Sequence, residues 1–403
     1  MISFEEANKI INAEFQKFEK RTTEVDLLNS LDYILAEDII SDINLPPFDN
    51  SAMDGYAIKY SEGKSKWKII GEISAGNYKS FSLSDETTTR IMTGAKLPEN
   101  STAVVPIEDV KVENNFVEIT NSIKLKDRQN IRPMGDDIKV GEVSVGKNTI
   151  IKSRHISAAA SCGKKRLNVY DKLRIGVLAT GDELIDIDEK PTGDKIRGSN
   201  LYALLASIKE MNMYPVNLGF VSDEKSELES KIKSALESDT DILITTGGVS
   251  VGKYDYVPEI FEKLGVEIKF RKVNIKPGKP MVFGTFNKND NPIFVFGLPG
   301  NPVSSFVGIQ LFVKKNIYKL FGVDYQNNFS AELLEDIRKE DNKRHFMRGV
   351  FSYNRGLNKY TVEKLVSQSS GNIVTTSKAN CLIVVEENKN FSEKGETVEC
   401  IKI

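Results

Sequence analysis

Residues 242–252 read ILITTGGVSVG, an apolar β-type run that passes directly into a glycine-rich loop. Runs of this kind are typical of buried strands in parallel sheets, and glycine lets the backbone that follows approach a ligand closely. On both sides, from 173 to 322, further apolar runs alternate with stretches of helical periodicity. This alternation predicts βαβ units and therefore an α/β domain built on a parallel sheet.

The composition favours a folded protein of several domains. A length of 403 residues allows roughly two to three domains. Hydrophobic residues make up 40% of the chain and charged residues 28%, which is unlike the composition of disordered proteins. The chain has 55 basic and 57 acidic residues, a net charge of −2, so it has no surplus of positive charge for a nucleic-acid backbone. We therefore expect no nucleic-acid partner.

Targeting and cysteine patterns favour the cytoplasm. The N-terminal residues MISFEE are acidic where a secretory signal is basic, and no apolar run reaches the roughly 20 residues that span a bilayer. Cys162, Cys381 and Cys400 are far apart and odd in number, so they indicate neither a disulfide framework nor a CxxC zinc site. We expect a cytoplasmic protein without a membrane partner.

The residue patterns outside 173–322 predict further domains. Apolar residues recur at helical spacing from Phe4 to Phe18, and Ser3 with Glu6 forms a capping-box pattern. Short β-type runs broken by Gly, Asn, Asp and Pro follow, and β-like patterns return after 323. The predicted parts are a helical linking domain (1–43 with 140–168), a β-rich insert domain (44–139), the α/β domain (169–322) and a small C-terminal β domain (323–403).

Acidic residues follow the predicted strands of the α/β domain. Glu183 lies in the loop after the first strand, Asp223 follows the second, and Asp255 lies in the loop after the third. In an open parallel sheet, ligands bind beyond the carboxyl ends of the strands. Carboxylate oxygens suit Mg²⁺ that is shared with substrate phosphates. We therefore predict Mg²⁺ as a cofactor, with Glu183, Asp223 and Asp255 as its ligands.

Phosphate-binding features are predicted at the same edge. The loop after the third strand supplies glycine backbone, and the helix that begins at Pro302 supplies free N–H groups and a positive dipole end. Lys276 and Lys279 add mobile positive charge. Together these features favour a phosphorylated substrate and a metal-assisted reaction. The ligand-binding residues predicted in these loops are Gly247, Gly248, Ser250, Gly252, Pro299, Asn301 and Pro302.

Each of these residues also has a purely structural interpretation. Asp182 could belong only to a turn, and Asp223 could cap the helix that follows it. Asn301 would start a helix with or without a ligand. Lys276 and Lys279 could be solvated surface charges. Their common placement at one edge of the sheet is what favours the functional interpretation.

The third loop also resembles a nucleotide-binding motif. Residues 247–254 read GGVSVGKY and match the Walker A pattern GxxxxGK[ST] except at the last position. Tyr254 does not offer the small hydroxyl that binds Mg²⁺ there, and Pro258 would fall inside the helix that a P-loop requires. The sequence therefore argues against a P-loop NTPase.

Seven motifs occur in order across essentially the whole chain. They are LPPFDNSAMDGYA (45–57), RIMTGAKLP (90–98), IRPMGDDI (131–138), ATGDEL (179–184), TTGGVSVGKYDY (245–256), IKPGKP (275–280) and GLPGNP (297–302). On these motifs the sequence resembles the MoeA family of molybdopterin molybdenumtransferases and is also similar to the E domain of gephyrin. Two of the motifs, TTGGVS and LPGNP, also resemble the related molybdopterin adenylyltransferases.

The resemblance implies an elongated four-part subunit in an L-shaped homodimer. It also implies that molybdenum from molybdate is inserted into adenylylated molybdopterin with release of AMP. Arg348 and Ser370 match positions expected near an oxyanion, and the molybdopterin adenylyltransferase is an expected partner. The catalytic residues carried over by motif are Asp54, Thr93, Glu183, Asp223, Asp255, Lys276 and Lys279.

Two segments depart from the family pattern. The loop at 369–371 reads SSG where relatives often have glycine and histidine, and Gly198 stands where an acidic residue is commoner. The residues leave open whether molybdenum or tungsten is used and whether a molybdate oxygen or water attacks the adenylate. A molybdopterin adenylyltransferase and a non-catalytic, gephyrin-like scaffold are the alternative functions.

Overall fold

The computed structural model describes residues 1–77, 79–120, 125–249, 255–288 and 291–403. The α-helices are α1 (Phe4–Phe15), α2 (Ser153–Ser161), α3 (Ser199–Glu210), α4 (Lys225–Glu237), α5 (Val257–Lys263), α6 (Pro302–Gly308), α7 (Lys315–Leu320) and α8 (Ile373–Thr376). Strands 1–14 are β1 (Thr22–Asp26), β2 (Ile39–Ile40), β3 (Asn50–Ser51), β4 (Gly55–Ile58), β5 (Lys66–Ile73), β6 (Thr87–Ile91), β7 (Ala103–Pro106), β8 (Val110–Glu113), β9 (Phe116–Ile119), β10 (Ile131–Arg132), β11 (Val143–Val145), β12 (Arg166–Tyr170), β13 (Arg174–Thr180) and β14 (Leu184–Ile185). Strands 15–28 are β15 (Ile196–Arg197), β16 (Tyr214–Val221), β17 (Ile242–Thr246), β18 (Glu267–Lys272), β19 (Ile275–Lys276), β20 (Pro280–Lys288), β21 (Asn291–Leu298), β22 (Asn328–Leu333), β23 (Ile337–Arg338), β24 (Arg344–Asn354), β25 (Lys359–Lys364), β26 (Cys381–Val385), β27 (Phe391–Ser392) and β28 (Thr397–Lys402).

The chain forms two compact units, which we describe separately. The α/β unit comprises Met1–Thr23, Asp32–Ile34 and Val169–Ile403, and the insert unit comprises Glu24–Leu31 and Leu35–Asn168. The predicted fold class is confirmed, with a central α/β sheet, a β-rich insert and a small C-terminal β domain. The finer division into four parts stays a prediction.

The α/β unit is built on a six-stranded sheet of order β16-β13-β17-β21-β20-β18. The first four strands are parallel, as expected from the βαβ pattern. The pairings of β20 with β21 and with β18 are antiparallel, so β20 runs opposite to the other five strands, which the predicted parallel sheet did not include. Lys288 and Asn291 are register partners, and so short a connection can join only antiparallel neighbours.

The start of β20 consequently lies at the same sheet edge as the ends of the parallel strands. Val282 of β20 is paired with Gly297 of β21, and Thr246 of β17 is paired with Leu298 of β21. Because β20 runs the opposite way, the residues before it reach the edge where β13, β17 and β21 end. This topology gathers segments from both directions of the chain at one edge.

Helix α1 packs on this sheet through its apolar face. The Ser3 hydroxyl accepts a hydrogen bond from the Glu6 N–H at 3.1 Å, which is the predicted cap. Phe15 is fully buried, and its ring stacks on Phe294 of β21 with centroids 4.0 Å apart. Stacked aromatic burial of this kind contributes about 1 kcal/mol beyond the area removed from water.

The helical segment after β21 runs from α6 through a π-helical turn into α7. Pro302 lies in its first turn, where the missing N–H is tolerated. Asn301 stands at the cap position, but its side chain makes no capping hydrogen bond. Gly322, with φ of +69°, ends the helix as predicted. Within the described part of the chain, no helix is both long and apolar enough to cross a membrane.

The C-terminal strands of the α/β unit close into a small barrel. The order β24-β25-β22-β28-β26 returns to β24 through the β24–β26 pairing. Its core includes Leu333, Val362, Cys381, Ile383 and Cys400, all fully buried. The short strand β19 adds to β24 in parallel, pairing Lys276 with His345. The segment 275–276 is thereby attached to the barrel.

The insert unit is a six-stranded sheet of order β7-β4-β6-β5-β9-β8. Its core contains Trp67, which is almost completely buried. Strands β4 and β6 are antiparallel neighbours, with Gly55 opposite Ile91. The residue before β4, Asp54, therefore meets the turn after β6, where Thr93 lies.

Candidate functional site

A cavity of about 690 Å³ lies at the edge where β13, β17 and β21 end. Its volume is within the range that accommodates a cofactor-sized ligand. The loops that carry Glu183, Asp223, Gly247 and Pro302 each contribute to its wall, whereas the segment 275–280 contributes only Pro280. The wall includes Thr180, Gly181, Glu183, Asp223, Gly247, Gly248, Val249, Asp255, Pro280, Pro299, Gly300, Asn301, Pro302 and Gly371.

Three predicted carboxylates line this cavity. Gly181 has φ of +153°, and a Cβ built there would lie 2.5 Å from Glu183 Oε2, so the Glu183 carboxylate occupies the space above Gly181. Asp223 accepts a hydrogen bond from the Thr180 hydroxyl at 2.8 Å, and Asp255 lies on the same wall. The structure thus brings Glu183, Asp223 and Asp255 to one cavity.

Asp182 has a different role from its acidic neighbours. Its Oδ1 accepts a hydrogen bond from the Asp223 N–H at 3.0 Å. The side chain therefore ties the end of the first strand to the loop after the second. This contact agrees with the structural interpretation of Asp182 as a turn residue, and it holds Asp223 in place.

The donor set is suited to a shared Mg²⁺ rather than to a closed metal site. In the described ranges, no group of three or more His, Cys, Asp or Glu side chains is close enough to hold a metal ion by itself. Mg²⁺ usually keeps several waters and takes only one or two carboxylates, with substrate phosphates completing its coordination. Carboxylates spaced around an open cavity fit that mode of binding.

The glycine loop comes close to the first strand of the sheet. Gly247 has φ of +104°, and a Cβ built there would lie 2.4 Å from the Thr180 carbonyl oxygen. No other residue type fits this position without displacement of the backbone. Gly248, with φ of +63°, lines the cavity beside it. The predicted residues Ser250 and Gly252 lie outside the described residues.

The turn between β21 and α6 is held by a buried polar cluster. Asn200 Nδ2 donates to the Gly300 carbonyl at 2.7 Å and to Thr246 Oγ1 at 3.1 Å. Thr246 Oγ1 in turn donates to the Pro299 carbonyl at 3.1 Å, and the Ser305 hydroxyl donates to the same carbonyl. These contacts fix the Pro299, Asn301 and Pro302 wall of the cavity.

The two predicted lysines do not line the cavity. Lys276 Nζ lies 3.5 Å from Asp341 Oδ2, and the Lys276 side chain is 59% exposed. Lys279 is exposed, and its carbonyl accepts the Val273 N–H at 3.1 Å. The pairing of β19 with the barrel explains this placement, because it directs the 275–279 segment toward Asp341 and away from the cavity wall. The interpretation of both as surface charge agrees with these contacts.

Asp341 is a strongly stabilised carboxylate. Burial alone would raise its pKa, but hydrogen bonds from His345 Nε2 at 2.7 Å and from Lys343 hold the pKa of Asp341 well below its usual range. Burial also lowers the pKa of His345, against the opposing effect of Asp341. Lys276 therefore faces a fixed negative charge of the barrel.

Arg348, which the family resemblance places near an oxyanion, does not line the cavity. Its side chain is 1% exposed. Nη1 donates to the Asn372 carbonyl and Thr376 Oγ1 at 3.0 and 2.9 Å, and Nη2 donates to the carbonyls of Ser367 and Ser369, both at 2.9 Å. The guanidinium is thus engaged in holding the loop 367–376. That loop supplies Gly371 to the cavity wall.

Ser370 meets the α/β domain through its backbone. Its carbonyl accepts a hydrogen bond from the Val303 N–H at 3.1 Å. One N–H of the first helical turn, predicted to be free for an oxyanion, is therefore already bonded. In the described residues, Ser370 itself is not part of the cavity wall, and its neighbour Gly371 is.

The insert unit carries its own polar pair. Oδ1 of Asp54 accepts hydrogen bonds from the backbone N–H of Thr93 at 2.7 Å and from its hydroxyl at 2.8 Å. These two bonds, the backbone one foremost, hold the pKa of Asp54 below its usual value. Both side chains are exposed. Asp54 is therefore an ionised, oriented carboxylate on the surface of the insert unit.

Several residues of the cavity wall were not predicted from the sequence, among them the polar residues Arg197, Asn200 and Thr246. Asn200 and Arg197 belong to the segment IRGSN, which was noted only for its departure from the family pattern at Gly198. Thr246 closes a buried strand and reads as an ordinary β-type residue. The position of Asn200 at the start of a predicted helix could have drawn attention to it. Its hydrogen bonds to Thr246 and Gly300, which are distant in sequence, could not be predicted.

Three family models match the chain in order. They are the MoeA N-terminal region, domains I and II, over residues 2–163, a probable molybdopterin-binding domain over 176–319, and the MoeA C-terminal region, domain IV, over 330–403. A molybdopterin molybdenumtransferase of Haemophilus influenzae is 36% identical over 386 residues, which is 94% of each chain. One from Bacillus subtilis is 33% identical and covers 96% of this chain and 91% of its own.

The fold agrees with these matches. A crystal structure of the molybdopterin biosynthesis protein MoeA from Pyrococcus horikoshii superposes with a TM-score of 0.84 at 26% identity, covering all of both chains. The sequence resemblance, the three matched regions in order and the full-length relatives agree with one another. The chain belongs to the MoeA family of molybdopterin molybdenumtransferases.

Proposed function

We propose that this protein inserts molybdenum from molybdate into adenylylated molybdopterin and releases AMP, as a step of molybdenum cofactor biosynthesis. The observation that carries the proposal is the single cavity in which a glycine-lined loop and three carboxylates face each other. That combination suits a pyrophosphate-linked adenylate with a bound divalent cation. Full-length similarity to molybdenumtransferases supports the same activity.

In the proposed mechanism, Glu183, Asp223 and Asp255 would hold Mg²⁺. The cation would supply neutralisation of phosphate charge and polarisation of the phosphorus toward attack. The backbone at Gly247 and Gly248 accommodates the phosphate oxygens at close range. Attack by a water oxygen breaks the bond between the adenylate phosphorus and the bridging oxygen, which gives AMP, the phosphate monoester of molybdopterin and a proton. Attack by a molybdate oxygen breaks the same bond and gives adenylyl-molybdate and the same phosphate monoester; AMP then leaves when molybdopterin takes the molybdenum and the bond between molybdenum and that oxygen breaks.

We propose that the protein acts as a homodimer in the cytoplasm. The proposal rests on the family resemblance and on the Asp54–Thr93 pair, an oriented carboxylate on an exposed surface of the insert unit. In a dimer of the family type, Asp54 and Thr93 of one subunit would complete the cavity of the other. The molybdopterin adenylyltransferase, which makes the adenylylated substrate, is the proposed delivery partner.

A turnover assay tests the proposed function. The purified protein is incubated with adenylylated molybdopterin, molybdate and Mg²⁺, and nucleotides are separated by chromatography. We expect AMP release without ATP consumption, and loss of AMP release in Asp255→Asn. ATP consumption with molybdopterin as substrate would support an adenylyltransferase instead. Absence of both reactions in a folded dimer would support a scaffold.

A further inference from the structure

The cavity wall contains an unassigned cation. Of the described residues that line it, Arg197 is the one basic side chain, and it faces the same space as the carboxylates of Glu183, Asp223 and Asp255. The predicted lysines lie elsewhere, with Lys276 directed at Asp341. An anionic substrate in this cavity would therefore meet three negative side chains and one positive side chain of the described chain.

Arg197 is fixed to the segment that carries Glu183. Strands β14 and β15 form a two-stranded parallel sheet in which Leu184 is paired with Ile196 and Ile185 with Arg197. The Ile196 N–H donates to the Glu183 carbonyl at 2.8 Å. The acidic group and the cationic group thus reach the cavity from one small sheet, so their spacing is set by backbone hydrogen bonds.

The Arg197 guanidinium is oriented by one hydrogen bond and keeps donors available for a ligand. Arg197 Nε donates to the Glu189 carbonyl at 3.0 Å, which fixes the plane of the group. Within the described residues, neither Nη atom has a hydrogen-bond or ion-pair partner. Arginine presents its two Nη groups in a fork that matches two oxygens of a phosphate, and a pre-oriented fork loses little side-chain entropy on binding.

We propose that Arg197 binds the pyrophosphate group of the adenylylated substrate and that Glu183, the residue directly before the paired strand β14, holds the divalent cation on the same group. This assignment rests on the proposed function for the identity of the substrate. The chemistry follows from the geometry: a diphosphate with its cation needs one fixed positive group and one carboxylate at a set spacing. The β14–β15 sheet supplies both.

Binding of inorganic pyrophosphate tests the proposal without turnover. The dissociation constant is measured by calorimetry in the presence of Mg²⁺ for wild type, Arg197→Ala, Arg197→Lys and Lys190→Ala. Lys190 is an exposed lysine in the loop between β14 and β15 and does not line the cavity. Lys190→Ala removes the same charge and is therefore the matched control. We expect about tenfold weaker binding for Arg197→Ala, since a charge-assisted bidentate contact is lost, and partial recovery for Arg197→Lys, which keeps the charge but not the fork.

A kinetic readout separates binding from structure. For AMP release, we expect Arg197→Ala to raise KM for the adenylylated substrate more than it lowers kcat, with an unchanged melting temperature. Arg197→Gln, which keeps the length of the stem, serves as a second variant if Arg197→Ala does not fold. Equal pyrophosphate affinity in Arg197→Ala and Lys190→Ala would overturn the assignment. If wild type releases no AMP, the proposed function fails, and the pyrophosphate result still decides the role of Arg197.

Discussion

The carbonyl oxygen of Ser370 accepts a hydrogen bond from the N–H of Val303 at 3.1 Å, which joins the C-terminal loop 367–376 to the first turn of α6. The Arg348 side chain donates four hydrogen bonds to that loop. The wall of the cavity at Gly371 is therefore built by a buried arginine that does not itself line the cavity. This arrangement makes Arg348 a positioning residue.

We expect Arg348→Ala to destabilise the protein by about 2–3 kcal/mol, because it removes a fully buried side chain and leaves three part-buried carbonyl groups without their donor. AMP release should fall in parallel, and Arg348→Lys should recover little, since one ammonium cannot satisfy four acceptors in this geometry. Denaturant unfolding measures the free energy, and a pH-independent loss of activity is the kinetic signature. Full stability together with a selective loss of molybdate affinity would instead place Arg348 on the anion.

Gly247 and Gly193 form a matched pair for testing the glycine loop. Gly193 has φ of +63° with no atom within 4 Å of an added Cβ, so Gly193→Ala should cost about 1 kcal/mol of stability. Gly247→Ala adds backbone strain of about 2–3 kcal/mol and a clash with the Thr180 carbonyl. We expect loss of AMP release and a clearly lower melting temperature only for Gly247→Ala. Similar melting temperatures and activities in the two variants would contradict the close approach.

The Asp54–Thr93 pair predicts a shift in the pH profile of AMP release. Thr93→Val removes the hydroxyl donor, so the pKa of Asp54 should rise part of the way toward its ordinary value, while the backbone N–H of Thr93 still lowers it. A carboxylate with a raised pKa is protonated at higher pH, so the acidic limb of the profile should move to higher pH. Thr93→Ser keeps a hydroxyl and is the control. A limb that stays in place in Thr93→Val, or moves to lower pH, would contradict the role of Asp54 as an ionised group.

The metal assignment predicts a specific response to Mg²⁺. Chelation should abolish AMP release, and added Mg²⁺ should restore it. We expect Glu183→Gln to raise the Mg²⁺ concentration for half-maximal activity by about tenfold or more, because an uncharged amide is a poor Mg²⁺ ligand. Asp188 is an exposed carboxylate in the loop after β14 and does not line the cavity. Asp188→Asn should therefore leave this Mg²⁺ concentration unchanged. An identical Mg²⁺ dependence in Glu183→Gln and Asp188→Asn would show that Glu183 does not hold the cation.

Local patterns were sufficient for most of the α/β framework. The Ser3 cap and the alternation of strands and helices after 173 each depend on residues close in sequence, and the structure has them where the patterns place them. The reversed direction of β20 was missed because an apolar run looks the same in either direction. Strand direction is set by the length of the connection, which the pattern of apolar residues does not report.

The placements of site residues that the sequence did not predict have a common physical cause in contacts between distant segments. Lys276 pairs with Asp341 in a different part of the chain, and the four acceptors of Arg348 lie in a loop about 20 residues away or more. Arg197 and Glu183 meet through a two-stranded sheet too short to show any periodicity. The motifs identified the chemical type of these side chains, but not the neighbouring groups with which they form hydrogen bonds and ion pairs.

The stoichiometry of the reaction tests the central claim most directly. Adenylylated molybdopterin is incubated with the protein, Mg²⁺ and limiting molybdate; released AMP is quantified, and molybdenum bound to the isolated pterin is measured by mass spectrometry. The account predicts one molybdenum atom on the pterin for each AMP released. AMP release without transfer of molybdenum to the pterin would contradict it.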